Sequence, residues 1–246
     1  RDMAVELEFF MKKQGAEDLA FSTIFVAGKN GSQCHGVPSD NVVNKGDFVT
    51  IDMGAKLDGY HSDMTRTFAV GYVSDEQREV YNTVLKAHLE AMKAVKPGVK
   101  CNAIDKIARD IIETPYPGTF GHGLGHGVGF EIHEWPAFNF RDETIIEPGM
   151  VITDEPGIYI EGLYGCRIED MIIVTEDGDF FSAGHGKTHP GGGQIHVPHP
   201  EGIHQRGITA QQGLGLGEAG NAPGGQNHGG QRRIAAGDEG VDGFCF

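Results

Sequence analysis

The chain has 246 residues and a net charge of −15, and no apolar run approaches the roughly 20 residues that span a bilayer. An acidic excess of this size disfavours non-specific binding to nucleic acid or to an anionic membrane, because those partners are negative as well. Cys34, Cys101, Cys166 and Cys245 stand far apart with no CxxC pair, which points to reduced thiols in a cytoplasmic setting rather than to a disulfide framework.

Met3, Leu7, Phe10 and Met11 recur at helical spacing and stop at Gly15, giving a first helix. The runs FSTIFVAG, DFVTIDMG and YHSDMTRTFAVG then read as strands. Ser74 with Gln77 three residues on is a capping-box signature, and Val80, Val84, Leu85, Leu89 and Met92 carry a second helix to the Pro97-Gly98 stop. Asn102 is the expected cap of a third helix, with Ile104, Ile107, Ala108, Ile111 and Ile112 on one face. Two more strand runs follow, MVITDEPGIYI and CRIEDMIIVTE, so the order predicts an α+β fold rather than alternating βαβ units. From about Gly184 the composition changes to a tail that collects half of the histidines and nearly half of the glycines. Such a segment cannot bury enough surface to offset its ordering, so the expected division is a working domain over 1–183 and a disordered or out-of-frame tail over 184–246.

Two strand runs repeat each other. Gly46 precedes Asp52 and Gly54 at the same distances at which Gly149 precedes Glu155 and Gly157, and each run returns through a strand bearing another acid, Asp63 or Glu169. An internal duplication with two halves face to face accounts for this. With Asp58-Gly59 as a type I′ turn, Leu57 opposes Tyr60 and Asp52 opposes Thr65, which makes Asp63 a same-face diagonal neighbour of Asp52, roughly 7 to 8 Å away at the backbone. With residues 161–165 as the second loop, Ile160 opposes Cys166 and Glu155 opposes Met171, leaving Glu169 in the same diagonal relation. Four converging carboxylates repel: two like charges at about 4 Å cost about 4 kcal/mol at an effective dielectric near 20. Divalent cations resolve this, and a mostly oxygen shell with one imidazole suits Mn²⁺ or Co²⁺, with Zn²⁺ as a further fit. Any one of these acids alone reads equally well as an exposed strand-end residue; two matched pairs do not.

The stretch HGLGHGVGFEIHEWP sets His122, His126 and His133 among glycines, a composition that lets backbone and imidazole come close to something small. Its spacing fits neither a dinucleotide loop, nor a P-loop, nor a zincin helix. On an extended strand His122 and His126 share a face and His133 falls on the other unless a bulge intervenes, so the three are expected to differ in role.

Taken together, DMGAKLDGYHSDMTRTF, HGLGHGVGFEIHE, DEPGIYI and RIED resemble the motifs of the pita-bread metallopeptidases, the family of methionine aminopeptidase, aminopeptidase P and prolidase, over about residues 4–178. The resemblance implies a pita-bread fold of pseudo-two-fold halves, with antiparallel sheets covered by helices. It implies two divalent metal ions held by Asp52, Asp63, His126, Glu155 and Glu169. It further implies that Glu155 shuttles a proton and that His122 and His133 contact substrate and steady the tetrahedral intermediate. His35 in CHGVPSD resembles a substrate-contacting histidine, and Arg167 in RIED is typical of the proline peptidases. Arg141 resembles, by spacing alone, an arginine that holds a dipeptide carboxylate. The implied activity is hydrolysis of Xaa-Pro bonds by an Xaa-Pro dipeptidase or aminopeptidase, with small peptides bearing proline second as partners and a homodimer in the full-length form. Methionine aminopeptidase and a non-catalytic peptide-binding module of the same fold are the rival readings. The family's N-terminal domain is missing, so the chain is expected to be N-terminally truncated.

Overall fold

Helix α1 (Asp2–Lys13) forms where the apolar spacing places it and ends ahead of Gly15, whose φ of +112° suits glycine. Only Ala4 of this helix is buried, and Met3 and Phe10 of its apolar stripe lie on the surface. The computed structural model describes residues 1–176 and the strand backbones at 180–182 and 186–188. The expected boundary at 183 lies outside the described residues, and of the tail only the strand backbone at 186–188 is described, which places regular structure at the start of the segment expected to be disordered.

The first half is a long hairpin with two flanking strands. After β1 (Asp18–Leu19) and β2 (Ile24–Ala27) come β3 (Phe48–Met53) and β4 (Ala55–Leu57), which return as β5 (Tyr60–His61) and β6 (Met64–Ala69). Leu57 pairs with Tyr60 and Asp52 with Thr65, the register that the Asp58-Gly59 turn dictates; both turn residues have positive φ, 51° and 82°. The hairpin kinks between β3 and β4 at Gly54, where a Cβ would stand 2.0 Å from the carbonyl oxygen of Ser62, so only glycine fits. Strand β2 lies on the outer edge of β3 and β1 on that of β4, all antiparallel.

Helix α2 (Asp75–Ala94) starts at the capping box read from sequence: the Gln77 N–H donates to Ser74 Oγ at 3.1 Å and the Ser74 N–H to Gln77 Oε1 at 3.0 Å. Helix α3 (Cys101–Glu113) starts one residue before Asn102, which corrects the expected cap. No side chain caps it; the backbone N–H groups of Cys101 and Asn102 donate instead to the carbonyls of Thr144 and Asp142. Val84, Ala87 and Ala91 of α2 and Ile104, Ala108 and Ile112 of α3 pack in one core with Ile152, Ile158 and Ile172 of the second half.

That second half is another kinked hairpin, β7 (Val151–Asp154) and β8 (Gly157–Ile160) returning as β9 (Tyr164–Arg167) and β10 (Asp170–Val174), with β11 (Phe180–Ser182) and β12 (Gly186–Thr188) added beyond β10. Its register differs from expectation by two residues: Ile160 pairs with Tyr164 and Met171 with Thr153, not with Cys166 and Glu155. The loop is the three residues 161–163, with Gly162 at φ +72° and the Leu163 N–H closing on Ile160 O at 3.0 Å. A two-residue slip preserves the facing of every side chain, because strand faces alternate with a period of two. The α+β class and the duplication are both borne out.

Truncating the core at α3 tests this packing. Ile104→Ala, at a fully buried position, is expected to cost about 2–5 kcal/mol in urea unfolding of the metal-free protein; a loss below about 1 kcal/mol would show that α3 is not seated in the core.

Candidate metal centre

The carboxylates converge because the kinks of the two hairpins face each other across a seam. Asp52 lies near the end of β3, Asp63 in the break before β6, and Glu155 and Glu169 in the breaks of the second hairpin, where the register carried from Asp154–Asp170 to Gly157–Arg167 sets them opposite each other. Side chains stitch the seam. Thr67 Oγ1 donates to Arg167 O at 2.9 Å and accepts the Arg167 N–H at 3.1 Å, while the Glu169 N–H donates to Thr65 O at 3.1 Å.

Asp63, His126 and Glu169 bring one ligating atom each within 4.8 Å of one another. His126 Nε2 lies 3.5 Å from both Asp63 Oδ2 and Glu155 Oε1, which joins Glu155 to the group. The Nδ1 of His126 faces Gly127 O at 3.0 Å and so carries a proton, which leaves Nε2 as the nitrogen turned to the carboxylates; burial opposes a charge on the ring, but Asp63 and Glu155 outweigh it and raise the imidazole above its ordinary value. Asp52 Oδ1, Asp63 Oδ1 and Glu169 Oε1 are buried with no hydrogen-bond partner. Burial raises Asp52 to about 6 and Glu155 to about 7, and it raises Glu169 as well, with the neighbouring carboxylates adding to each shift. Orphaned anionic oxygens around an aimed imidazole fit a divalent cation, and oxygen-rich donors suit a hard or borderline ion.

Arg167 is the organic cation of the site. Its Nη2 donates to Asp52 Oδ2 at 2.6 Å, Nε to Thr65 Oγ1 at 3.0 Å, and Nη1 to Cys34 O at 3.0 Å and Tyr159 OH at 2.7 Å; the Thr65 hydroxyl passes on to Glu169 Oε2 at 2.6 Å. His122 continues the chain. Its Nδ1 donates to Gly123 O at 2.7 Å and its Nε2 meets Tyr159 OH at 2.9 Å, so the phenol accepts from Arg167 and donates to an imidazole. Burial and the nearby Arg167 push His122 down to about 3 and keep it neutral.

Residues 130–133 turn the chain so that Gly127 bridges Glu134, and this return, rather than a bulge, brings His133 beside His126 with ring centroids 4.4 Å apart. The glycines answer to neighbouring backbone: a Cβ on Gly125 would stand 2.2 Å from Thr153 O. His35 is exposed and within electrostatic reach of His122 and His133. Arg141 is exposed with its guanidinium 4.9 Å from the Phe140 ring centroid, and no ion pair or side-chain hydrogen bond among the described residues links it to the cluster.

Sequence reasoning missed Tyr159 and a second polar cluster. Asp154 and Asp170, next in sequence to Glu155 and Glu169, point to the opposite face and meet His88 of α2: Nε2 lies 3.1 Å from Asp170 Oδ2, and Nδ1 3.3 Å from Asp154 Oδ2. Arg66 joins through Nη2 to Asp170 Oδ1 at 2.6 Å. Two signals pointed here: the adjacent acids in DEPG and RIED, which must face opposite ways on a strand, and Tyr159, four residues after Glu155 and so on its face.

Two facing kinked hairpins that converge four carboxylates and an imidazole form a candidate divalent-metal centre. Residues 1–176 match metallopeptidase family M24. A Xaa-Pro dipeptidase of Pyrococcus furiosus is 50% identical over 179 residues, 72% of this chain and 51% of that protein. The solved prolidase from Pyrococcus furiosus superposes with a TM-score of 0.72 at 49% identity, covering 74% of this chain and 54% of that one. An X-Pro aminopeptidase from Thermotoga maritima gives 0.71 at 43% identity, covering 74% and 51%. The chain belongs to metallopeptidase family M24 and has the pita-bread fold. It spans about half the length of the curated relatives it matches.

The second cluster generates a pH prediction. Burial opposes a charge on His88, but the facing Asp154 and Asp170 outweigh it and raise the imidazole to about 9, above its ordinary 6.5. A raised folded-state value means that the stabilisation is complete below pH 6.5 and is lost as pH climbs through about 9. The urea midpoint gap between metal-free wild type and His88→Gln is therefore expected to narrow across that window; a gap that widens would show His88 to be neutral.

Proposed function

We propose that this chain is the catalytic part of a peptidase that hydrolyses the bond before proline, in Xaa-Pro dipeptides or at the N-terminus of longer peptides. Asp52, Asp63, His126, Glu155 and Glu169 hold two divalent ions, Mn²⁺ or Co²⁺ best matching the donors and Zn²⁺ also fitting. The observation that carries the reading is the set of three partnerless buried carboxylate oxygens around the aimed Nε2 of His126. The names of the relatives support the substrate class. Free thiols at Cys34, Cys101 and Cys166 agree with a reducing compartment such as the cytoplasm.

When bound, the ions supply positive charge for a developing oxyanion and bring the pKa of water toward neutrality. Glu155 takes a proton from the attacking water and returns it to the proline nitrogen as the C–N bond breaks. His133, at the exposed rim beside His126, contacts the reacting carbonyl. His122, with both nitrogens engaged, serves the substrate through the Tyr159 hydroxyl, which Arg167 holds from the other side. His35 and Arg141 bind substrate from outside the cluster.

Chelation is expected to abolish activity and Mn²⁺ to restore it, with Xaa-Pro dipeptides or tripeptides cleaved faster than Met-Ala peptides. Full activity without metal, or Met-Ala peptides outrunning proline ones, would overturn the reading. His133→Ala is expected to keep its metal by elemental analysis and lose about 10²-fold in kcat, on the scale of a lost oxyanion donor. His126→Ala should lose metal first; the reverse pattern would exchange the two roles.

A further inference from the structure

Asp105 and Arg109 of α3 take part in no step above, yet they grip the segment that carries His122. Asp105 is fully buried, and Arg109 meets it in a bidentate pair, Nε to Oδ2 at 2.9 Å and Nη2 to Oδ1 at 3.0 Å. The other guanidinium donors go to main chain: Nη1 to Phe120 O at 2.9 Å and Nη2 to His122 O at 2.8 Å. Asp105 Oδ1 also accepts the Leu124 N–H at 3.1 Å. The rings of Phe120 and Phe140 lie 4.5 and 5.4 Å from the guanidinium carbon.

Residues 120, 122 and 124 alternate. Along an extended segment, alternate residues present their carbonyl and N–H groups to the same edge, where a neighbouring strand would pair with them. No strand is assigned over 120–124 among the described residues. Two carbonyls and one N–H on that edge therefore end on an arginine–aspartate pair. The Leu124 carbonyl accepts the Glu155 N–H at 2.8 Å, so the gripped segment is bonded directly to the backbone of Glu155.

We infer that Asp105–Arg109 is a surrogate strand edge, a positioning pair that fixes residues 120–124 and through them the His122 ring and the Glu155 backbone. The inference rests on the reading that these two residues serve the reaction. The chemistry explains the residue choice. Four donor contacts in one plane, two to a carboxylate and two to carbonyls, need a guanidinium; an ammonium at that place offers a single point of donation and cannot span all three partners.

The test uses Arg109→Lys and the isosteric Asp105→Asn in two arms. In metal-free protein labelled with ¹⁵N at histidine, the His122 ring resonances, assigned by their loss in His122→Gln, are expected to move in both variants while those of His88 stay. In the Mn²⁺-loaded enzyme kcat is expected to fall by about 10-fold to 10²-fold with KM changed by less than about 3-fold, the signature of misplacement rather than lost binding. Millimolar methylguanidinium should restore part of the kcat of Arg109→Ala, a rescue that a merely structural role would not give. Unmoved His122 resonances with unchanged kcat overturn the proposal. If Arg109→Lys does not fold, Asp105→Asn decides; unfolding of both makes the pair an ordinary core element and the proposal falls. A wild type that cleaves no Xaa-Pro peptide removes the functional reading, while the metal-free arm still decides whether the pair positions His122.

Discussion

Like charge placed twice across one strand pair is the constraint on which this structure depends. The register of β7 against β10 sets Asp154 opposite Asp170, and carried on by one residue it sets Glu155 opposite Glu169. Directly opposed acids are destabilising, and successive residues face opposite ways, so one pair of strands presents a repelling couple on each face. The helix-side couple is met by His88 and Arg66, which is why a histidine sits fully buried in the middle of α2, although neither carboxylate oxygen of Asp154 has a hydrogen-bond partner. The seam-side couple is compensated in part by His126 and Arg167, 3.5 and 4.0 Å from Glu155, and Glu169 Oε1 is left without a partner. The position of α2 and the chemistry of the seam are thus two answers to one electrostatic problem.

Arg167 shows how closely the seam is specified. Its donors go to Asp52, Thr65, Tyr159 and the Cys34 carbonyl, and its backbone pairs with the Thr67 hydroxyl, so one residue of the second hairpin touches three parts of the first half and the phenol of its own. A fork of fixed geometry satisfies these partners together. The path from Asp52 through Arg167 and Tyr159 to His122 is directional, and it agrees with the tautomer that the Gly123 carbonyl fixes from the other side of the ring.

The first hairpin was legible to the residue because Asp-Gly turns admit one loop length, which fixes everything upstream and downstream of it. The second was read two residues out because Glu161-Gly162-Leu163 has no such exclusivity; the faces survived only because the slip was even. The five candidate ligands were marked out by matched spacing and by resemblance, and the fold brings His133 beside His126 by a turn that alternation could not show. His88, Asp105 and Arg109 were invisible for a different reason. On a helix, a histidine or an i, i+4 Asp–Arg pair reads as a solvated face, and only tertiary packing turns it inward. Arg141 rested on spacing alone, and spacing does not fix which way a loop side chain turns.

The hydrogen bonds that close the seam join residues separated by 100 to 115 positions along the chain. Contacts so distant in sequence carry a large loop-closure entropy and form late relative to local turns and helices. In chain order Asp52 and Asp63 precede α2 and α3, and Glu155 and Glu169 follow them, so the two pairs of acids are made far apart in time. On the function proposed above, the candidate ligands of the two halves come together only when the last hairpin arrives, which would tie metal capture to completion of the fold.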